Sequence, residues 1–209
     1  MKVMKFGGSS LATAEQFASV AQLIVAEREH LKGLPYVVLS APAGMTNDLC
    51  QMVNKLTQGD EGSLQPFLKR ANRLLEESQP LFSETVWAWV IEQFLILTNQ
   101  LSDQVKGCRL LATCPPQVAA ALSVAGEQFS VLLMQAHLLH LACDVSPLDP
   151  IEFIVIGEHG LVDINRSRAQ FNHLSLRSAV HLMPGFYGVG YQGQLHTLGR
   201  NGSDYSAAV

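Results

Sequence analysis

The first residues of the chain have the composition of a phosphate-binding loop. A short apolar run that contains Lys5 is followed by Gly7-Gly8-Ser9-Ser10, and a helical pattern begins directly afterwards. Glycines let backbone N–H groups approach an anion, the positive end of the next helix points to the same place, and Lys5 adds a full charge. The pattern therefore predicts a strand, a phosphate loop and a helix. It is neither G-x-x-x-x-G-K-[ST] nor G-x-G-x-x-G, so a tight turn of small residues is an equally good interpretation of this run alone.

A second loop of small residues follows a second predicted strand. Residues 36–39 form a continuous apolar run, which is typical of a strand buried on both faces. Residues 40–47 then have the sequence Ser-Ala-Pro-Ala-Gly-Met-Thr-Asn, and a helical pattern resumes over residues 49–56. Open α/β sheets bind ligands at the carboxyl ends of their strands. Ser40 and Thr46 are therefore candidate ligand contacts.

Residues further along the chain could complete a pocket for an amino acid. Glu127 follows Gly126 at the start of an apolar helix, and a Gly-rich run near the end of the chain contains Arg200, Ser203 and Asp204. An arginine can hold a carboxylate by two hydrogen bonds, and a glutamate can hold an ammonium. The alternatives are a first-turn carboxylate at Glu127, an Arg200–Asp204 surface ion pair and a helix cap at Ser203. The functional interpretation depends on the joint occurrence of these residues in this order.

The alternation of strands and helices predicts an α/β fold with a parallel sheet and helices on its faces. The first helix is expected over residues 12–28, with Thr13 as a capping residue and Gln16 three positions later. Further strands are expected at 143–145, 153–156, 180–186 and 193–198, and further helices at 118–124, 129–141, 166–178 and from residue 205.

Residues 60–106 have a different character, because they show helical periodicity without a strand signal. We expect a helical hairpin or lid that packs on the α/β core, with its break near Pro80 and Ser83. Trp87 and Trp89 are expected to be core or interface anchors.

Composition excludes several classes of protein. Among 209 residues, 48% are apolar and 15% are charged, which is typical of a globular domain with a large core. The net charge is -4 and no long basic run is present, so nucleic acid is not an expected partner. The apolar run at residues 88–101 is broken by polar residues, and no uninterrupted run is long enough to cross a bilayer. Without a signal-peptide profile at the N-terminus, we expect a cytoplasmic protein and no membrane partner.

Cysteine and histidine spacing gives little indication of a metal site. The four cysteines do not pair at C-x-x-C spacing, and we expect reduced thiols that are mostly buried. His137 and His140 lie three residues apart on a predicted helix and could face one metal ion. No carboxylate or cysteine joins them at a useful spacing, so no metal site is predicted.

The motifs together resemble those of the aspartokinases. The resemblance is carried by Lys5-Phe6-Gly7-Gly8-Ser9-Ser10, by residues 39–47, by Gly126-Glu127, and by residues 198–208, and it covers the whole chain. Asn201 is similar to the residue found in the bifunctional aspartokinase–homoserine dehydrogenases, whereas many stand-alone aspartokinases have glycine. The resemblance implies the amino-acid kinase fold, a three-layer α/β/α sandwich with a mainly parallel central sheet and a helical insertion at about 60–106.

The resemblance also implies a reaction, in which ATP with Mg²⁺ phosphorylates the side-chain carboxylate of L-aspartate to give 4-phospho-L-aspartate. This is the first step towards lysine, threonine and methionine. Lys5 would stabilise the transferring phosphate, with Asp204 positioning it, while Gly7, Gly8, Ser9 and Ser10 would line the phosphate channel. Ser40, Thr46, Glu127, Arg200 and Ser203 would bind aspartate. The alternatives are a kinase for glutamate or a carbamate, and a catalytically silent amino-acid-binding fold.

The chain corresponds to only part of an aspartokinase, which limits the activity expected of it. In the aspartokinases the nucleotide pocket and the regulatory domains come from sequence beyond the last motif found here. We therefore expect a single partial domain over 1–209, the acceptor-binding half of a kinase domain. By itself it is expected to be inactive or nearly so and to have an uncovered sheet edge. A longer protein is expected to be a homo-oligomer.

Overall fold

The computed structural model describes residues 2–30, 35–199 and 201–209. Within these residues the strands are β1 Lys2–Phe6, β2 Pro35–Leu39, β3 Val145–Pro147, β4 Val155–Ile156, β5 Val180–Pro184, β6 Tyr187–Gly190 and β7 Leu195–Thr197. The α-helices are α1 Ala14–His30, α2 Met45–Thr57, α3 Gln65–Ser78, α4 Glu84–Leu111, α5 Pro116–Ser123, α6 Ala125–His140, α7 Ile164–His173 and α8 Gly202–Ala208.

The main sheet has four parallel strands in the order β1-β2-β5-β3. β5 is buried at every position and β2 at all but Tyr36, which explains their continuous apolar sequences. In register, Phe6 pairs with Leu39, and Leu39 pairs with Pro184, so these three strands end together. The loops that follow them therefore start at one edge of the sheet.

Helices cover both faces of this sheet, which makes three layers. Val37 and Leu39 pack with α1 and α6, through side chains such as Phe17 and Phe129. The neighbouring residue Val38 faces the opposite side, where partly buried side chains of α7 and α8 contact the core. The alternation follows from the period of two along a strand. The predicted α/β/α sandwich with a mainly parallel sheet is confirmed.

The helical pair α3 and α4 packs against the same core as α1 and α6. The ring of Phe129 on α6 lies 6.3 Å from that of Phe67 on α3 and 5.7 Å from that of Phe94 on α4. Trp87 and Trp89 are partly buried against this core. The break between the helices lies at a 3₁₀ turn, Gln79–Leu81, and the Ser83 hydroxyl caps α4 by accepting a hydrogen bond from the Val86 N–H. α4 continues to Leu111, past the predicted boundary at residue 106.

A second, smaller sheet has the order β4-β6-β7, with β4 parallel to β6 and β7 returning antiparallel to it. Gly193 has φ +82° in the turn between β6 and β7, a conformation that glycine adopts without a steric cost. This hairpin leads the chain back to the edge of the main sheet, where α8 begins.

Several predicted element boundaries differ from the structure for local reasons. α6 ends at His140 and is followed by a closing turn, in which the Cys143 N–H bonds to the Leu138 carbonyl and Ala142 has φ +54°. Cys143 therefore belongs to this turn, and the strand begins at Val145. β4 begins only at Val155, because the preceding residues form a 3₁₀ turn. α7 starts two residues earlier than predicted, since the Asp163 carboxylate caps it, and it stops at His173.

By length and composition alone, Pro116–His140 could cross a membrane, contrary to the expectation from the apolar runs. It consists of two helices, α5 and α6, which meet at Val124. Of its most apolar window, 61% is buried inside the protein, as expected for a core helix.

Candidate functional site

The loops after β1 and β2 meet at the carboxyl edge of the main sheet. The Ser40 N–H bonds to the Phe6 carbonyl at 3.1 Å, and the Ala43 N–H bonds to the Gly8 carbonyl at 3.2 Å. A Cβ on Gly8 would lie 2.7 Å from the Ala41 carbonyl oxygen, so only glycine permits this approach. The two predicted ligand loops thus support each other.

These loops surround a cavity of about 680 Å³. Nine of the eleven predicted site residues line it: Lys5, Gly7, Gly8, Ser9, Ser40, Thr46, Glu127, Ser203 and Asp204. Ser10 does not line it, because its N–H turns back to bond with the Gly7 carbonyl in the 3₁₀ turn Gly8–Leu11. Arg200 lies outside the described residues. The fold therefore brings together predicted site residues from four separate segments of the sequence.

Lys5 and Asp204 form an ion pair at this cavity. The Lys5 Nζ lies 2.7 Å from the Asp204 Oδ1, and the two side chains are 26% and 62% exposed. A pair this exposed contributes little to stability, so its consequence is positional. It holds the ammonium of Lys5 beside Gly7. A Cβ added to Gly7 would lie 3.5 Å from the Lys5 Nζ. Among the described residues, the ion-pair partner of Asp204 is Lys5.

Glu127, which lines the cavity, has a buried carboxyl group that lacks a hydrogen-bond partner at one oxygen among the described residues. It lies in the first turn of α6, is 3% exposed, and its Oε2 has no hydrogen-bond partner among the described residues. Burial raises the pKa of this carboxyl to about 7, although backbone N–H groups of Glu127 and Ala41 partly offset the effect. A buried carboxylate oxygen without a partner requires a cation or a proton. The cavity therefore has an acceptor for a ligand ammonium.

Close packing fixes α6 against the loop at residues 40–47. A Cβ on Gly126 would lie 2.6 Å from the Cβ of Ala41, and the Ser130 hydroxyl donates a 2.7 Å hydrogen bond to the Ser40 carbonyl. Gly126 is thus required by contact, and it brings Glu127 to the cavity wall.

The start of α8 explains the residue type at position 201. Asn201 is the residue before the helix and has φ +59°, a left-handed conformation that glycine and asparagine tolerate best. Position 203 is not the helix cap: Ser203 lies in the first turn, 7% exposed, against Gly185. The same turn carries Asp204 to Lys5.

The sequence analysis missed several residues that line the cavity. Phe186 has φ +84°, which is strained for an aromatic residue, and the Ser206 hydroxyl accepts a hydrogen bond from its N–H. Its position after β5, at the same sheet edge as the other loops, was the available signal. Asn47 and Cys50 follow Thr46 on α2, and Cys50 could have been found from the four-residue helical spacing.

A second cavity of about 370 Å³ lies on the opposite face of the sheet, beneath α7 and α8. Its lining is mainly apolar, with Tyr36, Val38 and Phe171 as examples. Among the salt bridges of the described residues, none joins two residues of this lining. The convergence of charge and glycine at the carboxyl edge, not cavity shape, identifies the first cavity as the candidate site.

Comparisons with known proteins agree with this geometry. The model of a family described as the amino acid kinase family matches residues 1–209. The chain is 33% identical to a bifunctional aspartokinase/homoserine dehydrogenase of Buchnera aphidicola, over 100% of this chain and 26% of that protein. It is 30% identical to chloroplastic aspartokinase 1 of Arabidopsis thaliana, over 99% of this chain and 37% of that protein.

The structure also resembles solved structures. Aspartokinase III of E. coli in complex with aspartate and ADP (R-state) matches with a TM-score of 0.83 and 26% identity, over 100% of this chain and 45% of that one. The same enzyme in complex with lysine and aspartate (T-state) matches with a TM-score of 0.83. This chain thus spans about a quarter of the bifunctional relatives and less than half of the solved enzyme.

Proposed function

This chain belongs to the amino acid kinase family, and we propose that it forms the acceptor-binding half of an aspartokinase domain. In the proposed reaction, ATP phosphorylates the side-chain carboxylate of L-aspartate to give 4-phospho-L-aspartate. Relatives named as aspartokinases or as bifunctional aspartokinase/homoserine dehydrogenases support this assignment. The solved enzyme with aspartate and ADP supports the two ligands.

The observation that carries the proposal is the charge distribution in the cavity. The Lys5–Asp204 pair lines the same space as Glu127, whose buried Oε2 has no partner among the described residues. An amino acid that places its ammonium on Glu127 directs its other groups into a cavity that also holds the Lys5 ammonium. An anionic acceptor carboxylate and an incoming phosphate both gain from that charge.

We assign roles to the other residues on the same basis. Lys5 stabilises the transferring phosphoryl group and Asp204 holds Lys5 in place. Backbone N–H groups of the run Gly7-Gly8-Ser9-Ser10 line the phosphate channel. Ser40, Thr46 and Ser203 contact aspartate, and Arg200, which lies outside the described residues, is proposed to bind its α-carboxylate.

The chemistry requires alignment and charge neutralisation, because a carboxylate is already a nucleophile. One carboxylate oxygen forms a bond to the γ-phosphorus of ATP as the bond from that phosphorus to ADP breaks, and no proton moves. Lys5 balances the charge on the transferring group. Mg²⁺ bound to the ATP phosphates would neutralise part of their charge.

The extent of the relatives suggests the remaining parts of the proposal. Because the chain spans 26% of a bifunctional relative, we propose that the nucleotide pocket, the regulatory domains and a homoserine dehydrogenase domain belong to a longer, homo-oligomeric polypeptide. That protein would be cytoplasmic and would serve lysine, threonine and methionine synthesis. The chain alone would then transfer phosphate poorly or not at all.

A hydroxamate assay tests the proposal. The chain alone and the longer polypeptide are each given ATP, Mg²⁺ and hydroxylamine, with aspartate or glutamate as acceptor, since hydroxylamine traps an acyl phosphate. Hydroxamate from aspartate and not from glutamate, formed only by the longer polypeptide, is the expected result. Hydroxamate from glutamate would support the alternative acceptor. No hydroxamate from any combination would overturn the aspartokinase assignment and leave a silent amino-acid-binding fold or a kinase for another acceptor, such as a carbamate.

A further inference from the structure

A side chain from the helical pair reaches the loop that forms one wall of the candidate site. We name residues 40–47 the acceptor loop. Arg70, on α3, extends to the end of this loop and to the first turn of α2 that follows it. Its Nε lies 2.5 Å from the Asp48 Oδ2, and its guanidinium lies against Gly44. Arg70 does not line the cavity itself.

Position 44 has a backbone conformation that favours glycine, and the Arg70 side chain lies against it. Its φ is +85°, a left-handed conformation that favours glycine. A Cβ at Gly44 would also lie 2.7 Å from the Arg70 Cζ and 3.0 Å from each terminal nitrogen. These three nearly equal approaches mean that the flat guanidinium covers the Cα of Gly44. The space beside Gly44 is therefore filled by Arg70.

The contacts of Arg70 bracket the residues that line the cavity. Gly44 precedes α2 and Asp48 lies in its first turn, where the Asp48 N–H bonds to the Gly44 carbonyl at 3.2 Å. Thr46 and Asn47 lie between these two positions and both line the cavity. The Asp48 side chain is 14% exposed and that of Arg70 is 41% exposed, so the carboxylate end of the pair is the shielded one. The guanidinium thus holds both ends of this turn.

We infer that Arg70 is a positioning residue for the acceptor: it fixes the turn that presents Thr46 and makes the helical pair part of the acceptor site. This inference rests on the proposed function. A lysine could keep the charge on Asp48 but has no planar group to cover Gly44, so the requirement is specific for arginine. Arg73, one turn further along α3, provides a contrast because it pairs with Glu77 on its own helix.

Steady-state kinetics with the longer polypeptide test the inference. Arg70→Ala is expected to raise the KM for aspartate about tenfold, in line with loss of one charge-assisted hydrogen bond, with kcat little changed. Arg70→Lys is expected to give a smaller rise, and Arg73→Ala none. Millimolar guanidinium chloride should lower the KM of Arg70→Ala and leave that of Arg73→Ala unchanged, which a purely structural role would not produce.

Hydrogen exchange on the present chain gives a second readout that is independent of activity. Arg70→Ala should accelerate exchange of the Asp48 amide while amides of the β5 strand keep their protection. An unchanged aspartate KM in both Arg70→Ala and Arg70→Lys, with wild-type turnover intact, would overturn the positioning role alone. Absence of aspartate turnover in the wild type would overturn the proposed function and this inference with it.

Discussion

The two ends of α6 each hold one buried ionisable side chain, and the surroundings of these two side chains differ. Glu127 lies in the first turn and is 3% exposed, while His137 lies in the last turn and is 2% exposed. Loss of hydration is the main cause of both pKa shifts. It raises the pKa of Glu127 to about 7 and lowers that of His137 to about 4.

The protein itself supplies the surroundings of His137. The Phe17 ring stacks on it at 5.9 Å, the Phe82 ring meets it edge-on at 4.8 Å, and the Ser78 hydroxyl lies 3.4 Å from its Nε2. The nearby charge of His140 lowers its pKa further. A ring enclosed in this way is a core residue.

Glu127 differs because its surroundings are incomplete. Its Oε2 has no partner within the described part of the chain, and the residue lines the cavity that Lys5 also lines. Burial of a charge without a partner costs stability, and a fold retains such a group where a ligand completes it. The comparison teaches that burial and a shifted pKa do not identify a site by themselves. A missing partner does not either, since the buried His181 Nδ1 and Gln104 Oε1 also have none among the described residues. Glu127 differs because it lines the cavity that Lys5 and Asp204 also line.

Glu127→Gln tests the comparison most strongly. The amide keeps the shape of the side chain but cannot neutralise an ammonium, so aspartate binding should weaken by about 2–5 kcal/mol, or roughly thirtyfold to several thousandfold. The KM for aspartate in the longer polypeptide measures the effect. His137→Phe serves as the matched control at the other end of α6 and should leave KM unchanged. A normal KM in Glu127→Gln would mean that both ends of α6 are core positions.

Lys5→Ala tests whether phosphate transfer and aspartate binding depend on different residues of the candidate site. Loss of the charge that we propose to stabilise the transferring phosphate should lower kcat by about 10²–10³, whereas the KM for aspartate should change little. Lys2→Ala is the control, because Lys2 lies on the same strand but pairs with Glu27 at the surface. A rise in KM as large as the fall in kcat would place Lys5 in acceptor binding and weaken the contrast with Glu127.

Much of the cavity lining was predictable, because its residues follow local rules. Parallel strands end at one edge, so Lys5 and Ser40 were expected to lie together. Gly126 directly preceding Glu127 was likewise visible, although the helix begins at Ala125, earlier than the predicted residue 129. Asn201 was recognised by family resemblance, and its left-handed φ gives the physical reason.

Contacts between distant segments were not predictable. The neighbours of His137 come from α1, from the end of α3 and from the turn before α4, so helical spacing could only suggest His140 as a partner. Arg70 contacts Gly44 across two helices, and nothing in the local sequence indicates it. The Asp163 cap of α7 is different, because it is a local contact with the Arg166 N–H that the sequence could have indicated.

The pH dependence of stability should show opposite signs for the two groups. Glu127 has a folded pKa above its ordinary value of 4.5, so its contribution to stability is full below about 4.5 and is lost as the pH rises through about 7. His137 has a folded pKa below its ordinary value of 6.5, so its contribution is full above about 6.5 and is lost as the pH falls through about 4. Each contribution amounts to about 3 kcal/mol.

Because the two contributions nearly cancel over this range, variants are needed to separate them. Relative to the wild type, Glu127→Gln should gain about 3 kcal/mol as the pH rises from about 4 to about 8, and His137→Phe should gain a similar amount as the pH falls over the same range. Urea denaturation across this range measures both. Parallel curves for Glu127→Gln and the wild type would show that Glu127 is hydrated, and would contradict the unpartnered carboxylate.

Ser78→Ala gives the smallest expected effect and tests whether His137 is satisfied by the protein. Ser78 is fully buried and its hydroxyl is 3.4 Å from the His137 Nε2, so removing it should destabilise the chain by about 1 kcal/mol. In a His137→Phe background the hydroxyl has already lost this partner, so the same substitution should cost nothing or stabilise slightly. Urea denaturation of the four proteins closes this double-mutant cycle. Equal costs in both backgrounds would mean that Ser78 and His137 do not interact, and the imidazole would then resemble Glu127 as a buried group that still lacks its partner.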